Sequence, residues 1–413
     1  MKYKAPRGTR DILPGDAQRW QLLEERFRRY CRLYGFSEIR TPIFEHTELF
    51  QRSVGEETDI VSKEMYTFTD RSARQLTLRP EATAATVRAY LEHNLKEGPQ
   101  PVKLYYQGPM FRYDRPQAGR YRQFHQFGLE LFGAGAPAAD AEIIALSYEF
   151  LQSLSIKDLK LEINSVGCPL CRPAYRENLL FYLQPLEKEV CPDCLHRFAK
   201  NPLRVLDCKN EKCRSLAAAA PIIEHSLCPP CGDHFSQLLR ALERLTIPFA
   251  VNPRLVRGLD YYSRTAFEFL CDGQGSVAGG GRYDFLVEHC GGPPTPGVGV
   301  AFGVERLLLA AEAEFLKFNA APPVFIATAG EGLEEEALIL AAELRAGGVA
   351  AETELMGRNL KGQLKYAGRK GCRHLVILGE RELSQNMVIL RDMVSGVQIE
   401  IERGQLTGRL KTS

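Results

Sequence analysis

The twenty residues Phe111–Glu130, FRYDRPQAGRYRQFHQFGLE, decide how this chain is read. Arg112, Arg115, Arg120 and Arg122 crowd around a Pro/Gly turn, after which the sequence runs on as an alternating strand. Successive strand side chains point to opposite faces, so Phe124, Gln126, Gly128 and Glu130 share one side while Phe127, Leu129 and Leu131 share the other. The second side reads as core. The first carries an aromatic ring, an amide, a gap with no side chain and a carboxylate. Buried polar groups left unpaired cost roughly 1–3 kcal/mol each, so this row faces either water or a small polar ligand lying on the sheet.

Two other segments favour the ligand. In Gly297-Val-Gly-Val-Ala-Phe-Gly303, the positions Gly297, Gly299, Ala301 and Gly303 leave one strand face almost bare while Val298, Val300 and Phe302 pack inward. Alternate glycines weaken a strand, and their use is to let a ligand or another backbone come close. The pattern then turns helical and sets Arg306 beside the bare face, an arrangement suited to adenine over the glycines and a phosphate on the arginine. Tight packing against another sheet is the competing explanation. The segment Leu255–Phe269 carries Arg257 before a glycine and the pair Tyr261 and Tyr262, which on a strand would point opposite ways.

Together these three segments resemble motif 2, the RGLDYY signature and motif 3 of histidyl-tRNA synthetases, a family of class II aminoacyl-tRNA synthetases. PRGTRDILP (6–14), GFSEIRTPIFE (35–45), TLRPEATAATVRA (77–89), GGGRYD (279–284) and LKGQLKYA (360–367) agree, so the resemblance runs over nearly the whole chain. Two positions depart from the family pattern: Asp114 stands where glutamate is usual, and Ala82 where glycine is expected.

The resemblance implies an α+β catalytic domain built on an antiparallel sheet over residues 1–320. A cysteine-rich subdomain is inserted at about 166–248, and an α/β anticodon-binding domain follows at 321–413, after a linker marked by AAPP at 320–323. It implies activation of L-histidine by ATP with Mg²⁺, transfer to histidine tRNA, and a homodimer. Arg112 and Arg257 would be the catalytic cations. Histidine would be held by Glu81, Ala82, Thr83, Arg112, Gln126, Glu130, Arg257, Tyr261 and Tyr262, with Glu130 accepting from the imidazole and Tyr262 donating to it. ATP would meet Arg112, Arg120, Arg306 and the ring of Phe124, and tRNA would meet Arg115 and Gln117 at the motif 2 loop. For Glu81 a capping role competes with substrate binding, and for Tyr261 core packing does.

Composition bounds the answer less tightly. A chain of 413 residues holds two to three domains, and a net charge of +2 gives no general nucleic-acid signal. The N-terminus lacks the apolar core of a signal peptide, and no run of about 18 apolar residues exists, so a cytoplasmic protein without a membrane span is expected. A helix is expected over 17–34, ended by Gly35, and strands over 159–165. The C-terminal part alternates strand and helix: 324–328, 334–345, 359–366, 375–378 and 398–401. Six basic residues and no acidic ones lie between Glu354 and Glu380; among them Lys361 and Lys365 are candidates for tRNA phosphates, against the plainer reading of a solvated basic face.

Eight of the twelve cysteines fall in the insertion as Cys168/Cys171, Cys191/Cys194, Cys208/Cys213 and Cys228/Cys231. Four thiolate pairs at knuckle spacing can build two tetrahedral zinc sites of structural role. The alternative is reduced cysteines in a small subdomain. The functional alternative to a ligase is a synthetase-like regulatory subunit of histidine biosynthesis, which would be expected to lose the catalytic arginines; Arg112, Arg257 and Arg306 are all present.

Overall fold

The computed structural model describes residues 3–55, 58, 60–208, 210–311 and 323–412 and divides into two compact units, Met1–Lys317 and Phe318–Ser413. Of the proline-containing linker, only Pro323 lies within the described residues.

The first unit is organised by eight strands: β1 (Ser37–Glu38), β2 (Val102–Phe111), β3 (Gln123–Phe132), β4 (Lys160–Ser165), β5 (Ala250–Val251), β6 (Ser263–Cys271), β7 (Gly275–Arg282) and β8 (Gly297–Gly303). Their spatial order is β1-β2-β3-β8-β7-β6-β4-β5, antiparallel throughout except for the short edge pairs β1/β2 and β4/β5. The order places β8, from late in the chain, directly against β3, with Gly299 opposite Glu130 and Ala301 opposite Gly128.

One face of this sheet is covered by the helices Pro14–Leu33, Pro137–Gln152 and Pro229–Arg244. Phe127, Leu129 and Leu131 from β3 and Val298, Val300 and Phe302 from β8 pack there against Leu23, Phe27, Ile143, Phe150, Leu238 and Leu242. Each such side chain contributes about 1.5–3 kcal/mol when fully buried. The first helix starts earlier than the 17–34 expected, because Pro14 occupies its first turn; it ends as expected before Gly35, whose φ of +73° stops the helix at little cost. Where this core meets the helix Pro137–Gln152, Arg282 and Asp140 are both fully buried and bonded to each other, and Arg282 also reaches Asp284 and the carbonyls of Ala134 and Ala136.

The cysteine-rich stretch is helical, with segments Arg172–Leu183, Pro192–Lys200 and Glu211–Ala217 packed around Tyr175, Leu179, Leu183, Val205 and Ile223. Its last helix, Pro229–Arg244, instead sends Phe235, Leu238 and Leu242 into the main core, so the separately packed part ends before it. A three-stranded sheet (Phe44–His46, Tyr66–Thr69, Gln75–Leu78) stands apart from the large one, with Ile43, Phe44 and Phe68 exposed.

The second unit is a five-stranded mixed sheet in the order Ala351–Thr353, Val324–Ala329, His374–Gly379, Met387–Asp392, Gln398–Glu402, with helices Glu334–Ala346, Leu360–Lys370 and Arg403–Lys411. The helix expected over 359–366 continues to Lys370, with Asn359 capping its start and Gly371 in the left-handed region at its end.

Candidate active site

On the other face of the large sheet lies a cavity of about 680 Å³. Among its lining residues are Arg112, Arg120, Phe124, Gln126 and Glu130 from the motif 2 hairpin, Glu81 and Thr83, Arg257, Tyr261 and Tyr262, and Gly299, Ala301, Gly303 and Arg306.

One end is cationic. Arg112 follows β2, its backbone N–H bonded to Arg122 O (2.9 Å) and its Nε to Pro80 O (2.8 Å), and its guanidinium lies 5.3 Å from the Phe124 ring centre. Arg120 pairs with Asp114 at 3.4 Å, and Arg306 donates to the carbonyl of Ser276. Burial lowers the Arg306 pKa, and the neighbouring charges of Arg120 and Arg112 lower it further while Glu268 opposes them. Burial likewise lowers that of Arg112. Such crowding of like charges is relieved by an anion. Arg257 enters from another wall, bonded to Glu268 at 3.1 Å and 5.9 Å from the Tyr262 ring centre, and its buried Nε has no hydrogen-bond partner. Its head sits in a notch made by Gly279, where a Cβ would meet Arg257 Nη2 at 2.2 Å. That notch explains the first glycine of GGGRYD.

The other end is built around Glu130, which is almost wholly buried. Thr83 Oγ1 donates to its Oε1 at 2.7 Å, and the Tyr283 hydroxyl donates to its Oε2. Burial raises its pKa to about 8, with Glu81 adding to the rise and the hydroxyls of Tyr283, Thr83 and Tyr106 opposing it. Gln126, opposite Gly303 on β8, has its Oε1 buried without a hydrogen-bond partner, an acceptor waiting for a donor. Glu81 lines the cavity, but its two oxygens already accept the backbone N–H groups of Thr83 (2.7 Å) and Ala84 (2.9 Å). The capping role therefore holds in this structure. Ala82 is buried beside Tyr106 and Met110 and is not among the cavity-lining residues.

Several sequence expectations are corrected. The gap at Gly128 is filled by the protein itself: a Cβ there would meet the Tyr106 ring at 2.1 Å. The bare face of β8 is likewise shared, since Gly297 accommodates the Tyr283 ring and Gly299 the Glu130 carboxylate, each within 2.3 Å of a built Cβ. Only its Ala301–Gly303 end is left for a ligand, with Arg306 the nearest side chain to Gly303 at 3.7 Å. Tyr261 and Tyr262 lie in the turn preceding β6, not on a strand, so they do not point apart: their ring centres are 4.7 Å apart, both are buried, and both line the cavity.

Arg115 and Gln117 sit exposed on the hairpin loop, closed by the paired backbones of Gln117 and Arg120. In the second unit Lys361 and Lys365 are exposed one turn apart on one helix, whereas two other members of the basic run are paired, Arg358 with Glu354 and Lys370 with Glu352. Sequence reasoning missed Tyr106, Tyr283 and the pair His125–Glu305, in which both the backbone N–H and Nδ1 of His125 lie 3.0 Å from Glu305 and fix the strand end that carries Phe124. Tyr283 was visible in GGGRYD; Tyr106 carried no signal beyond a strand aromatic. Also missed was the insertion's share of the cavity, where Arg197, Arg204 and Asp207 form part of the wall. The eight cysteines gather into two groups, Cys168/Cys171/Cys228/Cys231 and Cys191/Cys194/Cys208/Cys213, the sulfurs within each lying within 4.8 Å of one another.

A large antiparallel sheet with one face buried by helices and an arginine-lined cavity on the other, accompanied by a mixed-sheet C-terminal unit, is the architecture of class II aminoacyl-tRNA synthetases. The family model described as histidyl-tRNA synthetase matches residues 8–170 and 199–307, and one described as anticodon binding domain matches 323–413. A histidine–tRNA ligase of Desulforudis audaxviator is 56% identical, covering 100% of this chain and 99% of its own length. One from Desulforamulus reducens is 54% identical over 98% of both chains. The crystal structure of apo Staphylococcus aureus histidyl-tRNA synthetase is similar with a TM-score of 0.83 at 40% identity, covering 99% of this chain and 100% of that one. The chain belongs to the histidyl-tRNA synthetase family.

Proposed function

We propose that the chain attaches L-histidine to its tRNA at this cavity in two steps. Histidine and ATP give histidyl-adenylate and pyrophosphate; the terminal ribose of the tRNA then takes the histidyl group and AMP leaves. The observation that carries the reading is the union in one cavity of Arg112, Arg120, Arg257 and Arg306 with Glu130 and an unpartnered Gln126 oxygen.

Attack of a carboxylate on the α-phosphorus builds negative charge there, and fixed cations lower that barrier without reorganising. Arg112 and Arg257 serve the α-phosphate and the attacking carboxylate. Arg120 and Arg306 hold the outer phosphates, and Phe124 stacks on adenine over the open Ala301–Gly303 end. Glu130 and the Tyr262 hydroxyl address the imidazole, while Gln126, Thr83 and Tyr261 surround the α-amino group, with Glu81 acting through Thr83. A polar pocket of this kind rejects analogues that leave its own groups unpaired. Mg²⁺ fits on the pyrophosphate side: it leans on one or two carboxylates and on substrate phosphates, and Glu64 and Asp114 line that part of the cavity. When bound with ATP it neutralises phosphate charge.

In this reading residues 1–320 are the catalytic domain and 321–413 bind the anticodon, with Lys361 and Lys365 on tRNA phosphates and Arg115 and Gln117 near the acceptor end. The exposed Ile43, Phe44 and Phe68 support a homodimer through the small sheet. No described helix is long and apolar enough to cross a membrane, which agrees with a cytoplasmic enzyme. A regulatory, non-catalytic subunit would have no use for Arg112, Arg120, Arg257 and Arg306 in this cavity. ATP–pyrophosphate exchange with each of the twenty amino acids in turn, without tRNA, tests the proposal: exchange with histidine alone is expected. Histidine binding without exchange would favour the regulatory subunit, and exchange with another amino acid would break the pocket assignment.

A further inference from the structure

The insertion's cysteines are grouped across the sequence in a nested way. The first pair joins the last, and the two middle pairs join each other, although some sixty residues separate Cys168 from Cys228. Cys168 Sγ is 3.6 Å from Cys171 Sγ and 3.8 Å from Cys228 Sγ, and Cys191 Sγ is 3.8 Å from Cys208 Sγ. These separations are far too long for a disulfide of about 2.05 Å. They match four sulfurs around one zinc ion: at Zn–S of about 2.3 Å, tetrahedral sulfurs stand about 3.8 Å apart.

The surroundings suit thiolates. Cys228 N–H donates to Cys171 Sγ and Cys191 N–H to Cys213 Sγ, each at 3.2 Å. Three helices begin directly after a cysteine of these groups, Arg172–Leu183 after Cys171, Pro192–Lys200 after Cys191 and Pro229–Arg244 after Cys228, so their N-termini face the sulfur charge. The subdomain's apolar cluster is small and includes Cys194, Cys208 and Cys213 themselves, the kind of core that needs a staple.

Both groups also touch one loop of the active site. Arg172, next to Cys171, donates to the carbonyl of Tyr262. From the other group's side, Asn201 Nδ2 donates to Asp260 Oδ1 at 2.8 Å and Arg204 Nη1 to Gly258 O at 3.1 Å. The segment carrying Asn201 and Arg204 lies between the Cys191/Cys194 and Cys208/Cys213 pairs, and Cys191 and Cys208 themselves line the cavity.

We infer that the two cysteine quartets are tetrathiolate zinc centres that clamp the loop Arg257–Tyr262 from two sides, so that the metals position the residues addressing histidine. The centres take no part in the chemistry; they act through Arg172, Asn201 and Arg204. The inference rests on the proposed function only in naming histidine as the ligand addressed, and the metal measurements stand without it.

The test begins with metal analysis of the full chain purified without chelator, where two zinc ions per chain are expected. Cys194→Ser with Cys213→Ser should remove one and Cys171→Ser with Cys231→Ser the other, and cobalt(II) in the wild-type protein should show the sulfur-to-metal charge-transfer bands of a tetrathiolate site. The Cys194→Ser/Cys213→Ser protein should bind histidine about tenfold more weakly, the effect typical of losing an outer support of a site. Should that variant not fold, stepwise release of zinc from the wild-type protein by a thiol-blocking mercurial, followed alongside histidine binding, gives the same answer. A metal-free native protein whose eight cysteines all react with a thiol reagent overturns the centres. Iron with visible colour in place of zinc overturns the metal assignment, and zinc loss without change in histidine binding overturns the clamp. Failure of histidine-dependent exchange in fully zinc-loaded protein would count against the ligase reading and leave the metal result standing.

Discussion

Replacing Glu130 by glutamine gives the most discriminating test of the site. The carboxyl is buried beneath Tyr106 and Tyr283, and burial raises its pKa from 4.5 to about 8. Because the folded chain holds this proton more tightly than the unfolded chain, the group's contribution to stability is full below about pH 4.5 and is lost as pH climbs to about 8. A rise of that size corresponds to on the order of 5 kcal/mol across the window. Glutamine is nearly isosteric and neutral at every pH, so Glu130→Gln carries no such loss. Its stability relative to wild type should therefore grow by several kcal/mol from the acidic to the alkaline end. Urea unfolding of both proteins at matched pH values measures this directly, since all other groups titrate alike in the two and cancel in the difference. The variant should at the same time weaken histidine-dependent pyrophosphate exchange, as an amide offers the imidazole N–H an uncharged acceptor and sets an NH2 donor where one carboxylate oxygen stood. Parallel stability curves for the two proteins between about pH 4.5 and about pH 8 would refute the protonated, buried carboxyl.

The same carboxyl predicts that histidine affinity rises with pH through the imidazole's ordinary pKa of about 6.5 and on toward about 8. An imidazolium has no free lone pair for the Tyr262 hydroxyl, and an ionised Glu130 is the stronger acceptor for the neutral ring's N–H; titration calorimetry across pH reads this, and affinity falling between about 6.5 and about 8 would count against it. Arg257→His should cut pyrophosphate exchange by about 10²-fold or more, the size of losing one fixed transition-state donor, while histidine binding changes far less; equal losses would make Arg257 a support of the site and not of the reaction. Asp140→Asn leaves the fully buried Arg282 without its main anionic partner, although Asp284 stays 2.9 Å away, and should destabilise the fold by about 3–5 kcal/mol in chemical unfolding. Lys361→Glu with Lys365→Glu should raise KM for tRNA and flatten its salt dependence while leaving exchange without tRNA unchanged; an unaltered KM would return the basic helix face to mere solvation.

Much of the site was legible because strand alternation is local. The inward set Phe127, Leu129, Leu131 and the cavity set Phe124, Gln126, Glu130 follow from a period of two, whatever lies next door. The same holds for Val298, Val300 and Phe302, and for the placement of Arg306 at a helix start. The motifs further named the arginines through the family resemblance, and arginine is a favoured partner of phosphate in whatever fold presents it.

What stayed hidden depended on which distant surfaces meet. The gaps at Gly128, Gly297, Gly299 and Gly279 read alike in sequence, yet three are filled by Tyr106, Tyr283 and Glu130, and the fourth cradles Arg257. Glu130 as an isolated letter is an ordinary carboxylate; only the closure of β8 and Tyr283 over it excludes water and makes its proton hard to remove. The cysteine spacing announced four pairs but not their partners, since spacing reports only along the chain, and it is the packing of the insertion's helices that brings the first pair to the last. Sequence alone thus determined which residues face the cavity, through local periodicity and side-chain type. The tertiary structure decided which of them are buried, filled or joined, because desolvation and contact are properties of surfaces that meet only after folding.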